Sequence, residues 1–234
     1  MRNILLISSS RVHGTGYLDH AEPAIAGLIG TIDRILFVPY ALHDRDGYAT
    51  LARDRFSAMG TALESLHAAK DPVRAVEEAA AIFIGGGNTF RLLKALYDLR
   101  LLEPIRRAVA GGVPYIGSSA GSNVACPTIR TTKDMPIVQP PSFDALGLVP
   151  FQISPHYLDP DPKSTHMGET QEERILQYLE ENDRTVVGLR EAAMLRSAGR
   201  SFTLLGTAGA RIFRKGMAPV EVAPGAPLNE LLPA

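Results

Sequence analysis

The chain has 234 residues, of which 45% are hydrophobic and 21% charged, with a formal net charge of −1. That balance supplies one domain with a large core. It excludes strong electrostatic attraction to nucleic acid or to an anionic membrane, so a small, near-neutral partner is expected. The single cysteine, Cys126, excludes an intrachain disulfide and a cysteine-based zinc site, and it suits a reducing compartment, the cytoplasm.

The N-terminal apolar stretch is too short for a signal h-region or a membrane span and reads as a first buried strand, Asn3–Ile7. A helix is expected over His20–Leu28, and a second strand over Arg34–Val38, stopped by Pro39. Gly47–Met59 has helical period with Leu51, Phe56 and Met59 on its apolar side. Asp71-Pro72 starts a further helix running to about Ala80, with Asp as cap and Pro at the first position. The strand Ala81–Ile84 follows, then a helix capped by Asn88 or Thr89 and carrying Phe90, Leu92, Leu93, Leu96 and Leu99. Pro114–Gly117 is another buried strand, and an apolar strand is read over Leu148–Ile153. The segment between Pro127 and Pro150 has no period and is rich in proline, and such a stretch inside a compact domain is usually functional. Thr170–Asn182 is helical, with a capping box of Thr170 and Glu173. Strands at Thr185–Leu189, Ala193–Ser197, Phe202–Leu205 and Arg211–Phe213, with a turn at Gly199, suggest an antiparallel edge on a mainly parallel sheet. No linker or repeat appears, so residues 1–234 read as one α/β domain.

Gly117-Ser118-Ser119-Ala120-Gly121 matches G-x-S-x-G between an apolar strand and a helix of small residues, the context of a nucleophile elbow. Such a turn holds Ser119 in a strained conformation and leaves free N–H groups behind it; the plain alternative is a glycine turn without chemistry. Gly85-Gly86-Gly87 between strand and helix exposes successive N–H groups, a nest able to hold an anion. It lacks the lysine of a P-loop and the third glycine of a dinucleotide fingerprint. In a hydrolase, an N–H of Gly86 or Gly87 and that of Ala120 would form an oxyanion hole, and Asn88 stands beside them as a candidate substrate contact. Among six histidines, His156 follows a strand and is the best candidate base. Asp134 and Glu191 compete to orient it. Two other constellations read as structural: Cys126 as a packing residue, and His156, Asp159, Asp161 and His166 as a turn-rich loop without metal-site spacing.

FIGGGNTFRLLK (Phe83–Lys94), YIGSSAGSNVACPTIRTTKDMPIV (Tyr115–Val138), SFDALGL (Ser142–Leu148) and ISPHY (Ile153–Tyr157) together carry a specific resemblance. The sequence resembles the peptidase E family of α-aspartyl dipeptidases, serine peptidase family S51. The resemblance implies a three-layer α/β sandwich with a mainly parallel mixed sheet, similar to class I glutamine amidotransferases and distinct from the α/β-hydrolase superfamily. It also implies a nucleophile matching Ser119, a base matching His156, a third member matching Asp134 or Glu191, and no cofactor or metal. The implied partner is a small peptide with N-terminal Asp, and the oligomeric state stays open, a homodimer included. One departure bears on specificity: after Gly168-Glu169-Thr170 the relatives carry Arg, and here Gln171 stands. A neutral amide cannot pair bidentately with a substrate carboxylate, so selectivity for Asp is expected to relax unless Arg174 substitutes. Ser118, where some relatives carry a bulky aromatic residue, would widen the pocket. The rival readings are an esterase or related S51 peptidase without strict Asp specificity, and a non-catalytic small-anion-binding module.

Overall fold

A computed structural model describes residues 3–165, 167–198 and 201–228. Five parallel strands form most of the main sheet: β1 (Asn3–Ile7), β2 (Arg34–Val38), β3 (Ala62–Ser65), β4 (Ile82–Ile84) and β5 (Tyr115–Ser118). With β8 (Ala193–Ala198) and β9 (Ser201–Gly206) antiparallel at one side, the order is β3-β2-β4-β5-β1-β8-β9. A second sheet of four strands, ordered β11-β10-β7-β6, comprises β6 (Gln152–Pro155), β7 (Val186–Leu189), β10 (Ala210–Phe213) and β11 (Val220–Val222).

The central strands are apolar on both faces because both are covered, as parallel sheets require. Leu5, Ile7, Phe37, Phe83 and Ile116 face α1 (Glu22–Ile29) and α2 (Arg45–Ala58). Ile4, Leu6, Val38, Ile82 and Ile84 join a larger core with α4 (Thr89–Asp98), α5 (Leu102–Ala110) and α6 (Ala120–Ala125). The inward residues of β6 and β7, Ile153, Val187 and Leu189, close that core from the far side. The outer face of the second sheet, Val186 and Phe213, is covered by Ile175 and Leu179 of α7 (Gln171–Glu181). Caps fix the helix starts: Asp44 accepts from Gly47 N–H, Asp71 from Arg74 N–H ahead of α3 (Pro72–Glu77), and Thr170 with Glu173 forms the capping box. Among the described residues no helix is long and apolar enough to cross a membrane.

Three expectations need correction. The C-terminal strands do not form one antiparallel edge: β8 and β9 extend the main sheet, whereas β7 and β10 pair in the second sheet with β6. Their apolar sequences satisfy either sheet, and only tertiary pairing decides. In α2 the buried face is Tyr48, Ala49, Ala52 and Phe56, while Leu51 is exposed. Strand β3 and helix α5 were not anticipated, and the expected strand at 148–153 is shifted to Gln152–Pro155. The turn expected at Gly199 lies outside the described residues.

Helix α6 lies close against the sheet at one point. A Cβ at Gly121 would overlap the carbonyl oxygen of Ile84, and the Tyr115 hydroxyl donates to the Gly121 carbonyl at 2.6 Å. Gly121→Ala is therefore expected to destabilise the protein by about 3 kcal/mol, since backbone cannot yield as a flexible side chain can. Urea denaturation checks this; an unchanged midpoint would show that the approach is not tight.

Candidate active site

Five strands end at one place. Ser8 follows β1, Gly85 follows β4, Ser119 follows β5, His156 follows β6, and Arg190-Glu191 follows β7. This is the carboxyl edge, where the loops of a parallel sheet are free to build a site.

Ser119 adopts φ 50, ψ −106, in the sparsely populated region for a non-glycine residue. Its N–H donates to the Ile7 carbonyl at 3.0 Å, and its carbonyl accepts from Ser122 and Asn123 N–H at 2.9 and 3.0 Å. The hydroxyl of Ser122 lies 2.8 Å from the same Ile7 oxygen. The turn is thus over-determined by its neighbours, the condition under which a strain of about 1–3 kcal/mol persists.

His156 also has a positive φ, 53°. Its Nε2 lies 3.0 Å from Ser119 Oγ, and its Nδ1 lies 2.8 Å from Glu191 Oε1. A carboxylate at Nδ1 holds that nitrogen as the protonated one, which leaves the Nε2 lone pair facing the serine. The backbone places the ring: His156 N–H donates to Ser8 Oγ at 2.8 Å, and Ser8 Oγ donates to the Leu189 carbonyl at 2.8 Å. One hydroxyl on the main sheet therefore joins both strands of the second sheet that carry His156 and Glu191.

Asp134 sits elsewhere. Its Oδ2 accepts from Thr89 N–H at 2.7 Å and from the Thr89 and Thr132 hydroxyls at 2.5 and 3.1 Å, so it anchors the irregular loop to the start of α4. Asn88 is likewise engaged at both ends: Oδ1 caps α4 by accepting from Arg91 N–H, and Nδ2 donates to the Met135 carbonyl. The helix start needs an acceptor there, and the Asn88 carboxamide oxygen supplies it.

The glycine loop lies against Ser119. A Cβ on Gly86 would stand 3.1 Å from Ser119 Cβ. The hydroxyl of Tyr48 packs on Gly85. Gly87 has φ +133, and a Cβ there would stand 2.7 Å from the Ala41 carbonyl, so glycine alone fits. Ala120, next to Ser119, is fully buried.

Beside this pair, Lys133 Nζ donates to the His156 carbonyl at 2.8 Å and to Gln171 Oε1 at 3.0 Å. Gln171 Oε1 also accepts from Leu158 N–H at 2.9 Å. Lost hydration pushes the Lys133 ammonium down to about 8; Asp134 and Glu191 oppose that fall, and Arg174 adds to it. Arg174 lies on the exposed side of α7, 3.6 Å from Glu169. Lys133, Gln171 and Arg174 together line a cavity of about 220 Å³.

Cys126 is fully buried, its thiol 3.4 Å from the Ser122 carbonyl, and burial pushes it up to about 12, far from a reactive thiolate. Asp159 forms a bidentate pair with Arg190 at 2.7 Å, and His166 lies outside the described residues. Ser8 and Lys133 were missed by sequence reasoning. The only signal for Ser8 was a run of serines directly after the first buried strand.

The model of peptidase family S51 matches residues 4–205. The chain belongs to peptidase family S51. It is 54% identical over 230 residues to a Streptomyces coelicolor protein named peptidase E, covering 98% of this chain and 95% of that one. It is 49% identical over 234 residues to a Drosophila melanogaster protein named as a probable α-aspartyl dipeptidase, covering 99% and 98%. The solved structure of a peptidase from an acI-B1 actinobacterium shares the fold, with a TM-score of 0.71 at 19% identity over 97% of this chain and 96% of that one. As an S51 peptidase, this protein is a hydrolase acting on peptide bonds.

Proposed function

We propose that this S51 peptidase is a serine dipeptidase of the cytoplasm that cleaves dipeptides with an N-terminal aspartate. The observation that carries the reading is the hydrogen-bonded line from Ser119 Oγ through His156 to Glu191, at 3.0 and 2.8 Å. The name of the Drosophila relative supports the substrate class, and the lone buried thiol of Cys126 suits the compartment.

In this mechanism Ser119 Oγ attacks the scissile carbonyl carbon while His156 Nε2 takes the hydroxyl proton. Glu191 stabilises the imidazolium that results. The oxyanion is received by the amide of Ala120 and by that of Gly86 or Gly87, in the glycine loop that lies against Ser119. Each such donor is worth about 10²–10³ in rate. As the tetrahedral intermediate collapses, the C–N bond breaks and His156 gives its proton to the leaving amine. Water then attacks the seryl ester, with His156 again as base, and Ser119 regains its proton as the acid departs.

Steady-state turnover of Asp-Leu, Ala-Leu and p-nitrophenyl acetate by the purified protein tests the reading. The expected result is kcat/KM for Asp-Leu at least about tenfold above Ala-Leu. Ester hydrolysis exceeding both dipeptides would favour the esterase reading, and no turnover at all would leave the glycine loop as an anion site.

A further inference from the structure

We infer that Lys133 is the cation that receives a carboxylate of the dipeptide, and hence a residue that sets substrate specificity; this rests on the dipeptidase reading above. Three cationic side chains, Arg130, Lys133 and Arg174, line the cavity beside the base, against one carboxylate, Asp134. That carboxylate is committed to Thr89 and Thr132. Two of the cations have partners of their own: Arg130 lies over the Phe143 ring at 5.2 Å, and Arg174 is 3.6 Å from Glu169. Lys133 differs. Its ammonium bonds only a carbonyl and an amide oxygen, and among the described residues no carboxylate lies within ion-pair distance.

An ammonium has three donors, so two bonds leave one to give. A cation held only by neutral oxygens, with a donor to spare, is stabilised by an incoming anion through a charge-assisted hydrogen bond. Its position is fixed relative to the chemistry, because one of its bonds is to the carbonyl of His156 itself. A substrate anchored on Lys133 is therefore registered against Ser119 through a single residue. A dipeptide brings two such anions, the aspartyl side chain and the C-terminal carboxylate, and the cavity of about 220 Å³ has room for either.

The charge of Lys133 responds to pH. Its ammonium is held down to about 8 by lost hydration, with Arg174 acting in the same direction and Asp134 and Glu191 against it. The group is therefore charged below that pH and neutral above it. Selectivity for the anionic substrate is expected to be lost as pH rises through about 8.

The test compares Lys133→Met, Lys133→Arg and Arg174→Ala with the parent on Asp-Leu, Asn-Leu and Asp-Leu-amide. In Lys133→Met, one ratio of kcat/KM is expected to fall at least about tenfold, mainly through KM. A fall in Asp-Leu over Asn-Leu assigns the side-chain carboxylate, and a fall in Asp-Leu over Asp-Leu-amide assigns the C-terminal one. Lys133→Arg should restore part of that ratio. The parent's ratio should decline above pH 8 or so, while that of Lys133→Met stays flat. Equal losses on all three substrates would make Lys133 a mere support for the His156 loop and overturn the inference. So would unchanged ratios, or a fall confined to Arg174→Ala. If the parent itself cleaves none of these dipeptides, the dipeptidase reading fails first, and that result is distinguishable from failure of Lys133 alone.

Discussion

Replacing Ser119 with alanine is expected to lower kcat on Asp-Leu by about 10⁴-fold or more with the urea midpoint close to the parent's. In the proposed mechanism the hydroxyl is the atom that attacks, and the two neighbouring serines are placed otherwise. Ser118 is fully buried, and Ser122 is turned to the carbonyls of Ile7 and Gly117. Alanine keeps the backbone bonds to Ile7, Ser122 and Asn123, so the fold should hold. Glycine at the same position separates chemistry from strain. It should be equally inactive yet more stable than the alanine variant by about 1 kcal/mol, because glycine adopts φ 50 at little cost. Activity surviving in either variant would remove Ser119 from the reaction.

The second large effect separates the two carboxylates. Glu191→Gln should reduce kcat by about 10³–10⁴-fold, because the amide no longer favours a proton at His156 Nδ1 nor stabilises the imidazolium. The 2.8 Å contact from Nδ1 goes to Glu191 Oε1, so the loss should fall on kcat and leave KM nearly unchanged. Asp134→Asn should behave differently. Asp134 accepts an N–H at the start of α4 and two hydroxyls, so removing its charge should cost about 1 kcal/mol of stability. Its kcat should stay within about tenfold of the parent. Single-turnover kinetics paired with urea melts on both variants check this, and the opposite pattern would exchange the roles of the two residues.

The site was legible in the sequence wherever the chemistry lies within one local stretch. Glycines flanking Ser119 between an apolar strand and small residues specify a strand–turn–helix by local sterics alone, and the elbow sits where that pattern puts it. His156 could be read as a strand end, but not which sheet carries the strand. Ile153, Val187 and Ile212 are apolar residues that suit any buried strand, so the second sheet is decided by pairing across residues far apart in the chain. The choice between Asp134 and Glu191 is of the same kind: both are loop carboxylates, and only folding brings one to Nδ1 and the other to Thr89. Strand β3 escaped because Ala62-Leu63-Glu64-Ser65 at a sheet edge shows no apolar run, and only Leu63 among its apolar residues is buried. Lys133 carried no sequence signal, since its meaning comes from the carbonyl of a residue in another strand's loop.

Ser8 has a consequence for how the enzyme fails. Ser119 rides on the main sheet, and His156 and Glu191 ride on the other. One hydroxyl bridges them, accepting from His156 N–H and donating to Leu189. Catalysis thus reports the alignment of the two sheets, whereas circular dichroism reports only that each sheet persists. Heat or denaturant that lets the sheets slip by an ångström would silence the enzyme while its spectrum still read as native, because hydrogen-bonded transfer tolerates far less misplacement than backbone pairing does.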